Sequence, residues 1–339
     1  MKYREIFMLY AVKIYLFLKK IRIALGLKKI NFENLFSEKL RGVSLEDLEK
    51  TYSLLKGDYS KKLFVDLISM RVIGGKISLD IEANEVWRLL PGIEKNMKDD
   101  VIKTKNYDLN LHALGGIGFP INMYNTPMAI FTDFILKQYE FCKYDIVCKV
   151  ERGDFVIDGG GCFGDTALYF SYESGDEGKV FSFEFIKENI DIFNKNVSLN
   201  PNFRKNINLV QYPLWSAPGK NLYVINDGPA SKVLLDKPDG DVPIEIIKTI
   251  SIDEFVKVNN IKKIDFIKLD IEGAEPEALC GAEWVIRKFR PKLAICLYHD
   301  IQHFSTIPSF IDGLNLNYDF YLDHFTPHFG ETVLFANPR

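Results

Sequence analysis

Acids, glycines and histidines gather at three points of the chain where they could do chemistry together. The first is Val156-Ile157-Asp158-Gly159-Gly160-Gly161-Cys162-Phe163-Gly164-Asp165-Thr166. An apolar run ends in an acid, glycines follow, and a helical pattern begins near Gly164. Glycines let backbone amides come close to a ligand. The spacing is D-x-G-x-x-x-G, not the G-x-G-x-x-G of pyrophosphate binders. An acid just before the turn suits a cationic ligand better than a pyrophosphate. The second point is Glu184, about 20 residues further on at the end of the next apolar run, where an acid can accept from both hydroxyls of a ribose. The third is Lys268-Leu269-Asp270-Ile271-Glu272-Gly273-Ala274-Glu275. Asp270 and Glu272 can face one cleft there, while Glu275 suits the N-terminus of the helix that follows. His299, beside Asp300 and four residues before His303, is the candidate general base. His324 and His328 read as surface residues of a hairpin turn. A ligand carrying both a sulfonium and an ammonium group, S-adenosylmethionine, answers the charge of these sites.

These residues need elements to position them. DFVID (154–158), KVFSFE (179–184), INLVQY (207–212), IDFIKLD (264–270) and KLAICLY (292–298) read as buried strands. Ile186, Ile190, Phe193 and Val197 recur at helical spacing between two of them. A helix is expected from Glu275 to about Lys288, with Pro276 in its first turn. YDFYLDHF and ETVLFAN make a closing strand pair. Strands alternating with helices predict a parallel, doubly wound α/β sheet whose carboxyl edge binds the ligand. Upstream, Ser44 precedes Asp47 at the spacing of a helix capping box. KKLFVDLISMRVIGG is helical and stops at Gly74-Gly75, and LHALGGIGFPINMYNTP reads as loops with short strands. Residues 31–134 show no catalytic cluster and are read as a mainly helical or mixed region, either a substrate-selecting cap or a structural extension.

The balance of 43 basic and 46 acidic residues argues against a nucleic-acid binder. Five cysteines without a CxxC pair argue against a disulfide framework or zinc site and for a reducing cytoplasm. Residues 1–30 differ from the body: eight bases stand against one acid. The segment is too interrupted by charge for a membrane span. It reads either as an interfacial helix on anionic lipid or as a helix packed on the body or a second subunit.

Together, VIDGGGCFGDTALYF, VFSFEFIKENIDIFNKNVSLNP, IDFIKLDIEGAEPEALCGAE, PKLAICLYHD and ETVLFA resemble the FkbM family of S-adenosylmethionine-dependent methyltransferases, over about residues 135–337. The resemblance implies a Rossmann-like seven-stranded sheet with an antiparallel last strand. It also implies O-methyl transfer to a sugar, glycan or natural-product hydroxyl, with Asp158, Gly160, Gly164, Thr166 and Glu184 holding the cofactor and Tyr139 bordering the pocket. Gly161-Cys162 stand where the family often has Ala-Asn. Tyr212-Pro213-Leu214-Trp215-Ser216 lacks the acid that many methyltransferases set beside the adenine, so packing and backbone contacts are expected to hold it. The full expected cofactor set is Asp158, Gly159, Gly160, Gly161, Cys162, Gly164, Asp165, Thr166, Glu184, Asp270 and Tyr139. The expected catalytic set is His299, Asp270 and Glu272. No metal is expected, although His299, Asp270 and Glu272 are the residues that could hold one. The expected organisation is a basic helix (1–30), the mixed region (31–134) and the cofactor-binding domain (135–339). Two other readings remain: an NAD-dependent oxidoreductase, which the glycine spacing argues against, and a non-catalytic binding module, which the intact acids argue against.

Overall fold

The computed structural model describes residues 40, 42–73, 79, 100–225, 232–234 and 245–339; the basic segment 1–30 and the Gly74-Gly75 stop lie outside them. Seven strands form the main sheet: β1 (Phe155–Gly159), β2 (Lys179–Phe183), β3 (Ile207–Val210), β4 (Phe266–Leu269), β5 (Lys292–Cys296), β6 (Tyr318–His324) and β7 (Thr332–Pro338). Their order across the sheet is β6-β7-β5-β4-β1-β2-β3. β7 runs antiparallel to both β5 and β6, and the other pairings are parallel. All four residues of β4 are buried, as a parallel strand covered on both faces requires. Alternate side chains feed two cores. Ile157, Ile267, Leu269, Leu293 and Ile295 pack on one face, and Val156, Phe266, Ala294, Cys296 and Phe335 on the other. This is an α/β, doubly wound, Rossmann-like architecture, and its strand order reverses between β1 and β4. Such a reversal opens a crevice beyond the carboxyl ends of the strands.

Helix α1 (Leu45–Leu54) begins with the capping box its sequence predicts: Asp47 N–H donates to Ser44 Oγ at 3.0 Å. Helix α2 (Asp58–Ile73) follows. Between them, Lys56 N–H donates to Phe320 O at 2.8 Å, so the chain pairs with β6. The contact covers the open edge of the sheet, whose unpaired amides would otherwise invite another strand. Among the described residues no helix is long and apolar enough to cross a membrane.

Helices α3 (Asp165–Ser174) and α4 (Lys187–Ser198) connect β1 to β2 and β2 to β3, and α5 (Ile252–Val258) precedes β4. The single helix expected after β4 is two, α6 (Glu275–Cys280) and α7 (Glu283–Phe289). The break lies at Gly281, where a Cβ would come within 2.1 Å of the Trp215 carbonyl. Asp253, at the start of α5, accepts from the amides of Trp284 and Val285 at 3.0 and 2.9 Å. The first turn of α7 is thus capped from another helix. Helix α8 (His303–Gly313) lies between β5 and β6.

Ahead of β1, strands 101–103, 108–113 and 122–125 form a small antiparallel sheet. Two asparagines, Asn196 on α4 and Asn200 just past its end, fasten it to the body. Asn196 accepts from Tyr124 N–H (2.7 Å) and donates to Tyr124 O (2.9 Å) and Phe163 O (2.8 Å). Asn200 makes the same reciprocal pair with Asn122, at 2.9 and 2.7 Å.

Candidate active site

A cavity of about 500 Å³ opens at the carboxyl edge of the sheet, over the β1/β4 reversal. Every strand from β1 to β5 delivers residues to it: Gly160, Cys162, Asp165 and Thr166 follow β1, and Phe183 and Glu184 end β2. Tyr212, Pro213 and Leu214 follow β3, Asp270, Ile271 and Glu272 follow β4, and Tyr298 follows β5. The opposite wall comes from upstream of β1, from Asn125, Thr132, Asp133, Gln138 and Tyr139.

The glycine turn takes its shape from sterics. Gly160 has φ +85°, and a Cβ on it would sit 1.9 Å from the Asp270 carbonyl oxygen. Only glycine lets the turn pass so close to β4. Gly159, Gly161 and Gly164 do not border the cavity. They admit Leu269, Ser182 and Phe193 against the backbone. Their expected ligand contact is corrected to a packing role.

Asp158 is a larger correction. It is fully buried beneath the turn and does not line the cavity. Parallel register sets it beside Lys268, and Lys268 Nζ lies 3.2 Å from its Oδ1. Thr166 Oγ1 and Ser182 Oγ donate to it at 3.0 and 2.6 Å. Lys268 also donates to the carbonyls of Gly159 (3.0 Å) and Gly160 (2.7 Å). Burial works against the ammonium, but Asp158 and then Asp270 outweigh it, and the lysine is held above its ordinary range. The pair is a strut that fixes the turn from below.

Glu184 sits where the sequence places it. Oε1 accepts from the amides of Phe185 and Ile186, both at 2.7 Å, and Oε2 from Asn189 Nδ2 at 3.2 Å. Burial pushes its carboxyl up against those lowering hydrogen bonds. Asp165 is held by Asn125 Nδ2 at 2.8 Å. Burial, above all, raises Asp133 and Asp165 alike, and Asp165 raises Asp133 further. The Cys162 thiol, its Cα at φ +42°, is also pushed well up by burial, so it stays protonated.

At the other end, Asp270 accepts from Tyr139 OH on Oδ2 and from Tyr298 OH on Oδ1, each at 2.8 Å. Burial opposes its charge, but His299, Lys268 and the two hydroxyls together hold the carboxyl below its usual range. Asp270 is therefore a fixed anion, and both tyrosines keep their protons.

His299 is brought to this group but not to the cavity surface. Nδ1 lies 2.9 Å from Glu275 Oε1, and Nε2 lies 3.4 Å from Asp270 Oδ1 and 3.6 Å from Glu272 Oε2. Burial disfavours its charge, yet Glu275, Asp270 and Glu272 raise it to about 9. As an imidazolium it has no lone pair to take a proton, and it lies off the cavity surface, so nothing in the geometry supports the expected role as base. His303 stands 3.5 Å from Glu275. His324 is buried in β6, Nδ1 2.7 Å from Thr332 Oγ1, and burial lowers it to about 4. It is no surface residue, whereas His328 is exposed.

Glu331 was invisible among the sequence candidates. It lines the cavity, takes φ +58°, and accepts from Gln138 Nε2. Burial first, then the negative Asp270, raises its carboxyl to about 7. A buried acid poised near neutrality in a cleft is a proton-transfer candidate. Only its position in the closing ETVLFA segment could have marked it. Asn125, Asp133, Gln138 and Lys268 were likewise missed as site residues, since nothing local declares that they meet.

Residues 158–322 match the family model of the methyltransferase FkbM domain. Among solved structures, the chain is similar to the methyltransferase FkbM from Methylobacillus flagellatus KT (TM-score 0.54, 17% identity). That alignment covers 86% of this chain but 58% of the other, so the chain spans less than two thirds of its relative's length. An O-methyltransferase from Bacillus cereus in complex with SAH aligns at TM-score 0.37 and 12% identity, over 81% of this chain and 97% of that one. At 17% identity the likeness to the Methylobacillus flagellatus protein is one of fold alone. No curated protein matches the sequence significantly.

Proposed function

We propose that the protein, whose residues 158–322 match the family model of the methyltransferase FkbM domain, transfers a methyl group from S-adenosylmethionine to a hydroxyl oxygen of a sugar, glycan or natural product. The observation that carries this reading is one cavity with Glu184 at one end and the Asp270–Tyr139–Tyr298 group with Glu331 at the other.

The cofactor fits the residues present. At the turn, Gly160 and Cys162 border the cavity. Glu184, fixed by two amides and Asn189, keeps acceptor capacity for ribose hydroxyls. Tyr212, Pro213 and Leu214 supply an apolar wall for a purine, with no acid among them. Asp165 and Asp133 offer carboxyl groups to an ammonium, and Asp270 holds a negative charge for a sulfonium. The bound cofactor supplies an electrophilic methyl on sulfur.

The cavity walls hold the acceptor for in-line attack, which is where positioning lowers the barrier. An acceptor hydroxyl held there would pass its proton to the Glu331 carboxylate, which lines the same cavity. Residues 107–139, which build one wall, carry acceptor choice in this reading.

The test incubates the full chain with an isotope-labelled methyl donor and glycan and small-molecule extracts, reading label by mass spectrometry. Label on a hydroxyl oxygen is expected. Calorimetry runs beside it: Glu184→Ala should weaken S-adenosylmethionine binding at least tenfold, and unchanged affinity would misplace the pocket.

A further inference from the structure

We propose that Asp270, Glu275 and His299, with Glu272 beside them, form a site for one divalent first-row transition cation in the cavity wall. One ligand atom from each of Asp270, Glu275 and His299 lies within 4.8 Å of the others. Nε2 of His299 lies 3.4 Å from Asp270 and 3.6 Å from Glu272, whereas Glu275 lies 2.9 Å from the other ring nitrogen, Nδ1. A cation takes one ring nitrogen, and ligands about 2.1 Å from a tetrahedral cation stand about 3.4 Å apart, so the Nε2, Asp270 and Glu272 distances already match, and Glu275 closes in from within 4.8 Å.

Three further observations point to a ligand here. Glu275 is fully buried, and the His299 side chain is 8% exposed. Both ring nitrogens of His299 and Oε2 of Glu275 nonetheless make no aligned hydrogen bond. Buried polar atoms in that state cost roughly 1–3 kcal/mol each and call for a missing partner. The charge is also one-sided. Asp270, Glu272, Glu275 and Glu331 crowd one wall, while Lys268 is already engaged by Asp158 and two carbonyls. Finally, the candidate ligands are held in place by outer partners, as metal ligands are. Tyr139 and Tyr298 fix Asp270, the Ile271 amide donates to Glu275 Oε1 at 2.8 Å, and φ values of +56° and +103° at Glu272 and Gly273 turn that loop toward His299.

The donor set selects the ion class. Imidazole among the ligands favours a transition ion over magnesium or calcium. Asp270 and Glu272 line the cavity, so the open coordination positions would face the acceptor. On the methyl-transfer reading, the ion would bind acceptor oxygens; the site itself does not depend on that reading.

The full-length protein, stripped with chelator and dialysed, is titrated with Mn²⁺ and followed by electron paramagnetic resonance. One bound equivalent is expected, with spin-echo modulation from imidazole nitrogen. His299→Gln should abolish that modulation, and His299→Gln, Glu275→Gln and Asp270→Asn should each weaken binding at least about tenfold. Glu283→Gln, on the exposed surface of α7, should bind as wild type. Absence of Mn²⁺ binding, binding without the nitrogen signature, or binding unchanged in these variants overturns the proposal, leaving imidazolium as the cation of the cluster. Calorimetry with S-adenosylmethionine on the same metal-free protein separates the two readings. Donor binding without Mn²⁺ binding removes only the metal site; Mn²⁺ binding without donor binding removes only the transfer reading.

Discussion

Replacing Lys268 by methionine tests whether the glycine turn rests on a buried ion pair. The substitution keeps the apolar stem and removes the ammonium, leaving Asp158 as a fully buried charge. Asp158 then retains only hydroxyl donors, Thr166 at 3.0 Å and Ser182 at 2.6 Å, and the carbonyls of Gly159 and Gly160 lose a donor. Breaking a buried pair from one side costs about 3–5 kcal/mol; the remaining hydroxyls place this case near 3. At about 2–4 °C per kcal/mol for a domain of this size, the midpoint should fall by about 6–12 °C. Asp158→Asn strands the lysine instead and should also destabilise. The double variant removes both charges and should lose less than the two singles together, by about 0.5–3 kcal/mol. Urea unfolding followed by circular dichroism gives all four stabilities, provided the slopes agree. A loss under about 1 kcal/mol in Lys268→Met, or strict additivity in the double variant, would refute the strut. The same reasoning expects Lys268→Met to loosen the turn and weaken cofactor binding.

Gly160→Ala forces a Cβ to within 1.9 Å of the Asp270 carbonyl and should cost well over the roughly 1–2 kcal/mol of a left-handed residue. Gly219→Ala, at φ +74° with nothing within 4 Å, should cost no more than that strain; equal melting losses would sink the close-approach argument. Glu331 binds its proton more tightly in the folded chain, its carboxyl raised by burial and Asp270 from 4.5 to about 7. Its contribution to stability is therefore fullest below about 4.5 and declines as pH rises to about 7, by at most about 3 kcal/mol. In chelated protein, Glu331→Gln should flatten that decline, read from urea midpoints against pH. Methyl transfer by the wild type should rise with pH through about 7, and Glu331→Gln should lose about 10²–10⁴ of the rate; wild-type turnover in the variant would remove the base assignment. Asn196→Ala deletes three buried hydrogen bonds to Tyr124 and Phe163 and should cost about 3 kcal/mol, with faster amide exchange confined first to strand 122–125.

The sequence by itself determined what depends on neighbours along the chain. Apolar runs of four or five residues ended in Asp158, Glu184 and Asp270, and those runs are β1, β2 and β4. The Ser44–Asp47 box caps its helix because donor and acceptor are three residues apart. The glycine turn was legible because its φ requirement is local, and Glu184 because a strand end fixes its position. Tertiary structure alone decided the rest, since charge and proximity there are set by residues far apart in sequence. Parallel register, not spacing, put Lys268 beside Asp158 and turned an expected ligand contact into a support. Three carboxylates raised His299 against the opposing effect of burial, and burial near Asp270 left Glu331 poised near neutrality. No period or motif encodes such an environment, because it exists only once β4, β5 and β7 lie side by side with residues 125–139 closed over their ends.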